Sequence, residues 1–243
     1  MRLIAIITLV LGTGISPAPA QNAQVAVAAN FTAAAEDLAE AFAVETGLEI
    51  GLSFGATGQL YAQITQGAPF DAFLAADTER PGLLVEAGLA VGASRFTYAV
   101  GRLALFSADP ALAAGPESLE GDFERLAIAE PGAAPYGAAA VEVIAALGLT
   151  DALADRLVIG QNIAQAYQFV ATSNAELGFV ALSQIAAGEG GSHWVVPEEM
   201  HAPIAQDAVL LDARNEAASA FLGFLASARA REIIEAHGYG VRP

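Results

Sequence analysis

The chain has no cysteine and no lysine. Without cysteine it can form no disulfide, thiol nucleophile or thiolate metal site. Without lysine it lacks the cation that phosphate-binding loops usually carry, and all 10 basic residues are arginine. Charge is sparse, at 15% of residues, and one-sided, with 27 acids giving a net charge of -17. Such a surface repels nucleic acid and anionic membranes, so no nucleic-acid partner is expected. At 55% hydrophobic residues the composition excludes a disordered chain.

Long apolar runs are also missing. The first twenty residues, "MRLIAIITLVLGTGISPAPA", pair Arg2 with an apolar stretch from Leu3 to Val10 and end in Ala18-Pro19-Ala20. The stretch falls short of the ~20 residues that a spanning helix needs. A charged start, an apolar middle and an A-x-A end make a cleavable secretory signal peptide. Cleavage after Ala20 leaves residues 21–243 with a net charge of one unit more negative. The product is expected to be soluble, periplasmic and monomeric.

What remains alternates. Val25–Ala29 reads as a buried strand, followed by a helix over 33–45 that places Phe31, Ala35, Leu38 and Phe42 on one face. Leu48–Phe54 is a strand and Gln59–Gln66 a helix; Asp71–Ala76 is a strand and Pro81–Ala87 a helix. This rhythm predicts an α/β fold with parallel strands. Phe96–Ser107 reads as one long β run. Strands at 126–129, 157–160 and 177–182 alternate with helices at 138–147 and after Gln161. A further strand is expected at 205–211 and one long helix at 215–236. Two α/β lobes follow, 21–101 with 205–243 and 102–204, joined by extended crossings.

The strand ends carry the chemistry. "AANFT" offers Asn30, "GATG" Thr57, "APYG" Tyr136, and "QNIAQ" the Ile163 amide. Ligands of open α/β sheets bind at the carboxyl ends of strands. Helix N-termini there present unpaired N–H groups and partial positive charge, which hold an anion without a cation. Each turn also has a plainer reading: Asn30 and Asn162 as helix caps, Thr57 in a tight turn, Tyr136 as a packed aromatic.

The strings "VAVAANF", "GAPFDAFLAAD", "APYGAAA" and "LGFVALSQI", with the glycine-rich turn before "LYAQI", resemble the periplasmic molybdate-binding proteins in order over the whole chain after residue 20. These are the solute receptors of molybdate ABC importers. The resemblance implies two lobes closing over the ligand, with no enzyme activity and no cofactor. It implies a molybdate or tungstate oxyanion held by neutral donors, with no direct protein–metal ligand, and delivery to an inner-membrane ABC permease. Carried over, the site falls on Ala29, Asn30, Thr57, Tyr136 and Ile163. The family's second turn usually has serine where this chain has Thr57. A branch with tyrosine in the "LGFVALSQI" motif is departed from at Ala181.

Other readings stay open at this level. The ligand could instead be sulfate, phosphate or a ferric ion held by tyrosines. A secreted hydrolase would use Thr57 as nucleophile, but no G-x-S-x-G elbow or placed histidine supports it. His193 and His201 flank Glu198 and Glu199 without a metal-binding spacing.

Overall fold

The computed structural model describes residues 22–112, 115–186, 188 and 190–241. The signal peptide assigned to residues 1–20 lies outside them. Among the described residues no helix is long and apolar enough to cross a membrane.

The strands are β1 (Ala23–Ala28), β2 (Ile50–Gly55), β3 (Ala72–Leu74), β4 (Phe96–Gly101), β5 (Leu103–Ser107), β6 (Leu126–Ala129), β7 (Leu157–Gly160), β8 (Leu177–Ala181), β9 (Ser192–Val195) and β10 (Ile204–Leu210). The α-helices are α1 (Thr32–Thr46), α2 (Thr57–Thr65), α3 (Glu79–Glu86), α4 (Pro135–Ala146), α5 (Thr150–Leu153), α6 (Ile163–Ala171), α7 (Glu216–Leu225) and α8 (Ala228–Ala236). They build two five-stranded sheets, ordered β2-β1-β3-β10-β4 and β7-β6-β8-β5-β9.

The inner strands of the first sheet, β1, β3 and β10, are buried on both faces, so they read as largely apolar runs. Successive side chains alternate between two cores. Val25, Val27, Ala72, Leu74, Ala208 and Leu210 pack with Phe31, Leu38, Phe42 and Phe221 from α1, α7 and the turn before α1. Ala26, Phe73 and Val209 face the other way, onto Leu60, Ile64 and Leu84 of α2 and α3. The second sheet has its own core, with Leu103, Leu105, Ile128 and Phe179 packed against Tyr136, Ala140 and Val143 of α4 and Ala166 and Val170 of α6.

Three expectations are corrected. The run Phe96–Ser107 is not one strand. It divides at Arg102 into β4, whose Gly101 pairs with Ile204, and β5, whose Leu103 pairs with Ala181 of the other sheet. The segment 215–236 is two helices, because Ser227 accepts from the Ala230 N–H at 3.1 Å and caps a new start. Strand β9, in "SHWV", was not foreseen; its Trp194 lies opposite Leu105 and packs on the second core.

Candidate functional site: an uncharged cavity between the lobes

Four strand-to-helix junctions meet where the lobes face each other. A short 3-10 turn, Ala29–Phe31, continues directly from β1, and α2 starts two residues after β2. From the other lobe come the starts of α4 and α6, after β6 and β7. These starts surround a small cavity, about 10 Å³ measured to the centre of a water-sized sphere. Ala29, Asn30, Thr57, Tyr136 and Ile163 all line it, with Ala28, Gly55, Ala56, Ala76, Ala134, Pro135 and Asn162. None of these residues is charged. A wider cleft of about 360 Å³ shares Ala76 and Pro135 with it and carries the charged groups Asp77, Glu79, Arg80 and Glu142.

Thr57 is the first residue of α2 and is buried. Its Oγ1 accepts from the Ala76 N–H at 3.0 Å. A hydroxyl has one proton and two lone pairs, so the bond from Ala76 leaves the Thr57 proton to be given.

Asn30 is not a helix cap: it lies inside the 3-10 turn, and α1 has no side-chain cap. Its Nδ2 donates to Gln206 Oε1 at 2.9 Å and to the Tyr239 hydroxyl at 3.1 Å. Its carbonyl accepts from the Tyr239 hydroxyl and from Ser183 Oγ, the latter at 3.1 Å. Both side-chain N–H groups are therefore used inside the protein. The Asn30 side chain also lies against the Tyr136 hydroxyl, in the sense that lowers the phenol's pKa, and its main-chain N–H belongs to a helix start.

Tyr136 is buried, and its hydroxyl accepts from Gln206 Nε2 at 3.3 Å. Burial, then the neighbouring Tyr239 and Tyr98, push its pKa well above the usual phenol value. It stays a neutral donor wherever the protein works. Pro135 opens α4 and has no N–H, so Tyr136 is the first residue of that helix able to offer one.

Ile163 is the first residue of α6, and its N–H has no partner within the helix. Asn162 is the cap expected from sequence, accepting from the Gln165 N–H at 3.0 Å. Gln184 joins the end of β8 to this turn: it accepts from the Ala181 N–H at 2.9 Å and donates to the Ile163 carbonyl at 3.2 Å.

The two lobes also touch directly. The Gly58 N–H donates to the Ala133 carbonyl at 2.8 Å, and Arg80 Nη2 donates to the Gly132 carbonyl at 2.9 Å. A Cβ at position 58 would lie 3.0 Å from the Ala133 Cα, a tight fit that glycine relieves. Asp77 orients Arg80, accepting from its main-chain N–H at 2.9 Å and pairing with its guanidinium.

Residues that sequence reasoning missed stand behind the cavity: Gln206, Tyr98, Tyr239 and Ser183. The signal for Gln206 was a polar residue inside the apolar strand "IAQDAVL". Tyr239 carried no local signal, since only the folded chain brings it to Asn30. Three of the five tyrosines thus converge, yet burial pushes the pKa of each one up.

The chain matches the family described as bacterial extracellular solute-binding protein over residues 23–240. It is 51% identical to the molybdate-binding protein ModA of Rhodobacter capsulatus, over 96% of this chain and 93% of that one. Identity to the ModA of Azotobacter vinelandii is also 51%, over 97% of each. The solved periplasmic molybdate-binding protein of Azotobacter vinelandii superposes with a TM-score of 0.88 at 40% identity, covering 91% of this chain and 100% of that one. With two α/β lobes, a cavity between them and these relatives, the chain belongs to the bacterial extracellular solute-binding proteins.

Proposed function

We propose that this protein captures molybdate, and the similarly sized tungstate, in the periplasm and delivers it as a monomer to an inner-membrane ABC permease. Supporting this is one observation above all. Four junctions from two lobes bring Ala29, Asn30, Thr57, Tyr136 and Ile163 to a single uncharged cavity, in a chain half identical to molybdate-binding proteins. The relatives are binding proteins, and no reaction is assigned to this one.

The lobes are residues 21–101 with 205–243, and 102–204, after removal of a signal peptide of residues 1–20. Thr57 donates its hydroxyl proton from lobe one, beside the Ala29 and Asn30 amides. Tyr136 and the Ile163 amide donate from lobe two. Hydrogen bonds to a charged group each contribute about 1.5–3 kcal/mol net. Several of these, less the costs of desolvation and closure, reach the roughly -8 kcal/mol of micromolar binding. Fully deprotonated oxyanions need only donors, whereas protonated phosphate must also donate, and sulfate is smaller.

Thermal unfolding with molybdate, tungstate, sulfate or phosphate tests the reading. A ligand at 100 times its Kd adds about 2.7 kcal/mol of stability. A rise in Tm with molybdate and tungstate alone is expected. A rise with sulfate or phosphate instead would reassign the ligand, and no rise with any of them would remove the anion site.

A further inference from the structure

Gln206 lies in β10, one of the crossing strands, and is completely buried. A buried amide is costly unless both of its ends are bonded. Here the ends serve different lobes. Oε1 accepts from Asn30 Nδ2 at 2.9 Å and from the Tyr98 hydroxyl at 3.1 Å, both within lobe one. Nε2 donates at 3.3 Å to the hydroxyl of Tyr136, which arrives from lobe two. Position 101, on the neighbouring strand, must be glycine for this meeting: a Cβ there would collide with the Tyr136 hydroxyl and lie 2.7 Å from Gln206 Nε2.

We propose that Gln206 is a positioning residue that makes Tyr136 a donor to the bound oxyanion and does so only when the lobes are closed. The Tyr136 oxygen accepts from Gln206, so its own proton must be given away. That proton is then available to an oxyanion in the cavity beside it. The other end of the Gln206 amide accepts from Asn30 and Tyr98 within lobe one, which fixes the orientation of the amide. Thr57 is set in the same sense by the Ala76 N–H. An amide is suited to this task because its two ends are fixed as acceptor and donor. A hydroxyl or water at this place could rotate and would leave the direction free.

The inference rests on the anion-binding reading above, and its test keeps the two apart. Molybdate affinity is measured by calorimetry for wild type, Tyr136→Phe, Gln206→Met and the double variant, with far-UV circular dichroism and the anion-free Tm of each. Each single change is expected to weaken binding about tenfold. The double variant is expected to bind within about twofold of Tyr136→Phe alone, because Gln206 acts through the hydroxyl already removed. Multiplied effects in the double variant, or wild-type affinity in Gln206→Met, overturn the proposal while leaving the site intact. Full affinity in Tyr136→Phe also overturns the proposal, whereas no binding by wild type overturns the reading of the site itself. If Gln206→Met does not fold, Gln206→Glu serves instead. Its protonated carboxyl keeps one donor and one acceptor, so binding should weaken as the pH is raised from 5 to 8. Wild-type affinity at both pH values overturns the proposal.

Discussion

The two lobes are built on one plan and furnish the cavity by different means. In each sheet the first three strands in spatial order are parallel and the last two pairings are antiparallel. In each, the two outermost parallel strands lead into the helix starts that reach the cavity. Lobe one brings short polar side chains there, Asn30 and Thr57, backed by β10 and the C-terminal Tyr239. Lobe two brings main-chain N–H groups and one long side chain, Tyr136. A main-chain donor fixes geometry through the helix and is indifferent to the side chain. A side-chain donor can be tuned, but its direction needs a second residue to set it. The side chains of Thr57, Asn30 and Tyr136 are accordingly bonded by Ala76, Gln206 and Tyr239 of lobe one, whereas Ser183 and Gln184 of lobe two bond main-chain carbonyls, those of Asn30 and Ile163.

The contrast can be broken from either side. Thr57→Val removes the hydroxyl at nearly constant shape and is expected to weaken molybdate binding about 10- to 150-fold, the value of one hydrogen bond to a charged group; calorimetry reads it directly. Asn30→Ala is expected to cost at least about tenfold, since it removes the buried bonds to Gln206 and Tyr239 that hold the turn carrying the Ala29 and Asn30 amides. In lobe two, Ile163→Pro deletes the N–H at the one helical position where proline is well tolerated. About tenfold weaker binding with α6 retained by circular dichroism is expected, whereas Ile163→Ala should show in Tm far more than in affinity. Unaltered affinity in Ile163→Pro would mean that lobe two contributes through Tyr136 alone.

Smaller effects are expected away from the cavity. Arg80→Ala removes the lobe-to-lobe bond to the Gly132 carbonyl at a partly exposed place, so a roughly two- to threefold faster release in stopped-flow is expected. The tyrosines act last. Tyr98, Tyr136 and Tyr239 have folded-state pKa values raised by burial. Their stabilising effect is complete below about pH 10, the unfolded value, and is lost as pH rises through the folded values. Denaturant midpoints should therefore be insensitive to these groups up to about pH 10 and fall above it.

Local pattern carried most of the architecture. The apolar runs expected at 25–29, 126–129 and 177–182 contain strands, with Ala29 and Leu182 already in the turns that follow, and the helices expected from Gln59 and Ala138 begin two and three residues earlier, at Thr57 and Pro135. The break at Arg102 was hidden because "FTYAVGRLALFS" keeps its β character on both sides. The partners, Ile204 and Ala181, decide where one sheet ends, and they lie far along the chain. The break before Ala228 was visible in principle, since serine inside a helical pattern is a capping signal. For the site, residues at strand ends were legible because the topology brings such ends together. Gln206, Ser183 and Tyr239 were not, because they touch Asn30 only through folding, from 153 to 209 positions away.

Strand β10 lies between β3 and β4 in the first sheet, although it is the last strand in the chain. Until residue 210 has left the ribosome, β3 and β4 have no neighbour in common and that sheet has a gap one strand in from its edge. All five strands of the second sheet fall within residues 103–195. The half of the molecule that is synthesised first is therefore the half that is finished last, and the later-made lobe can be complete while the earlier one is still waiting.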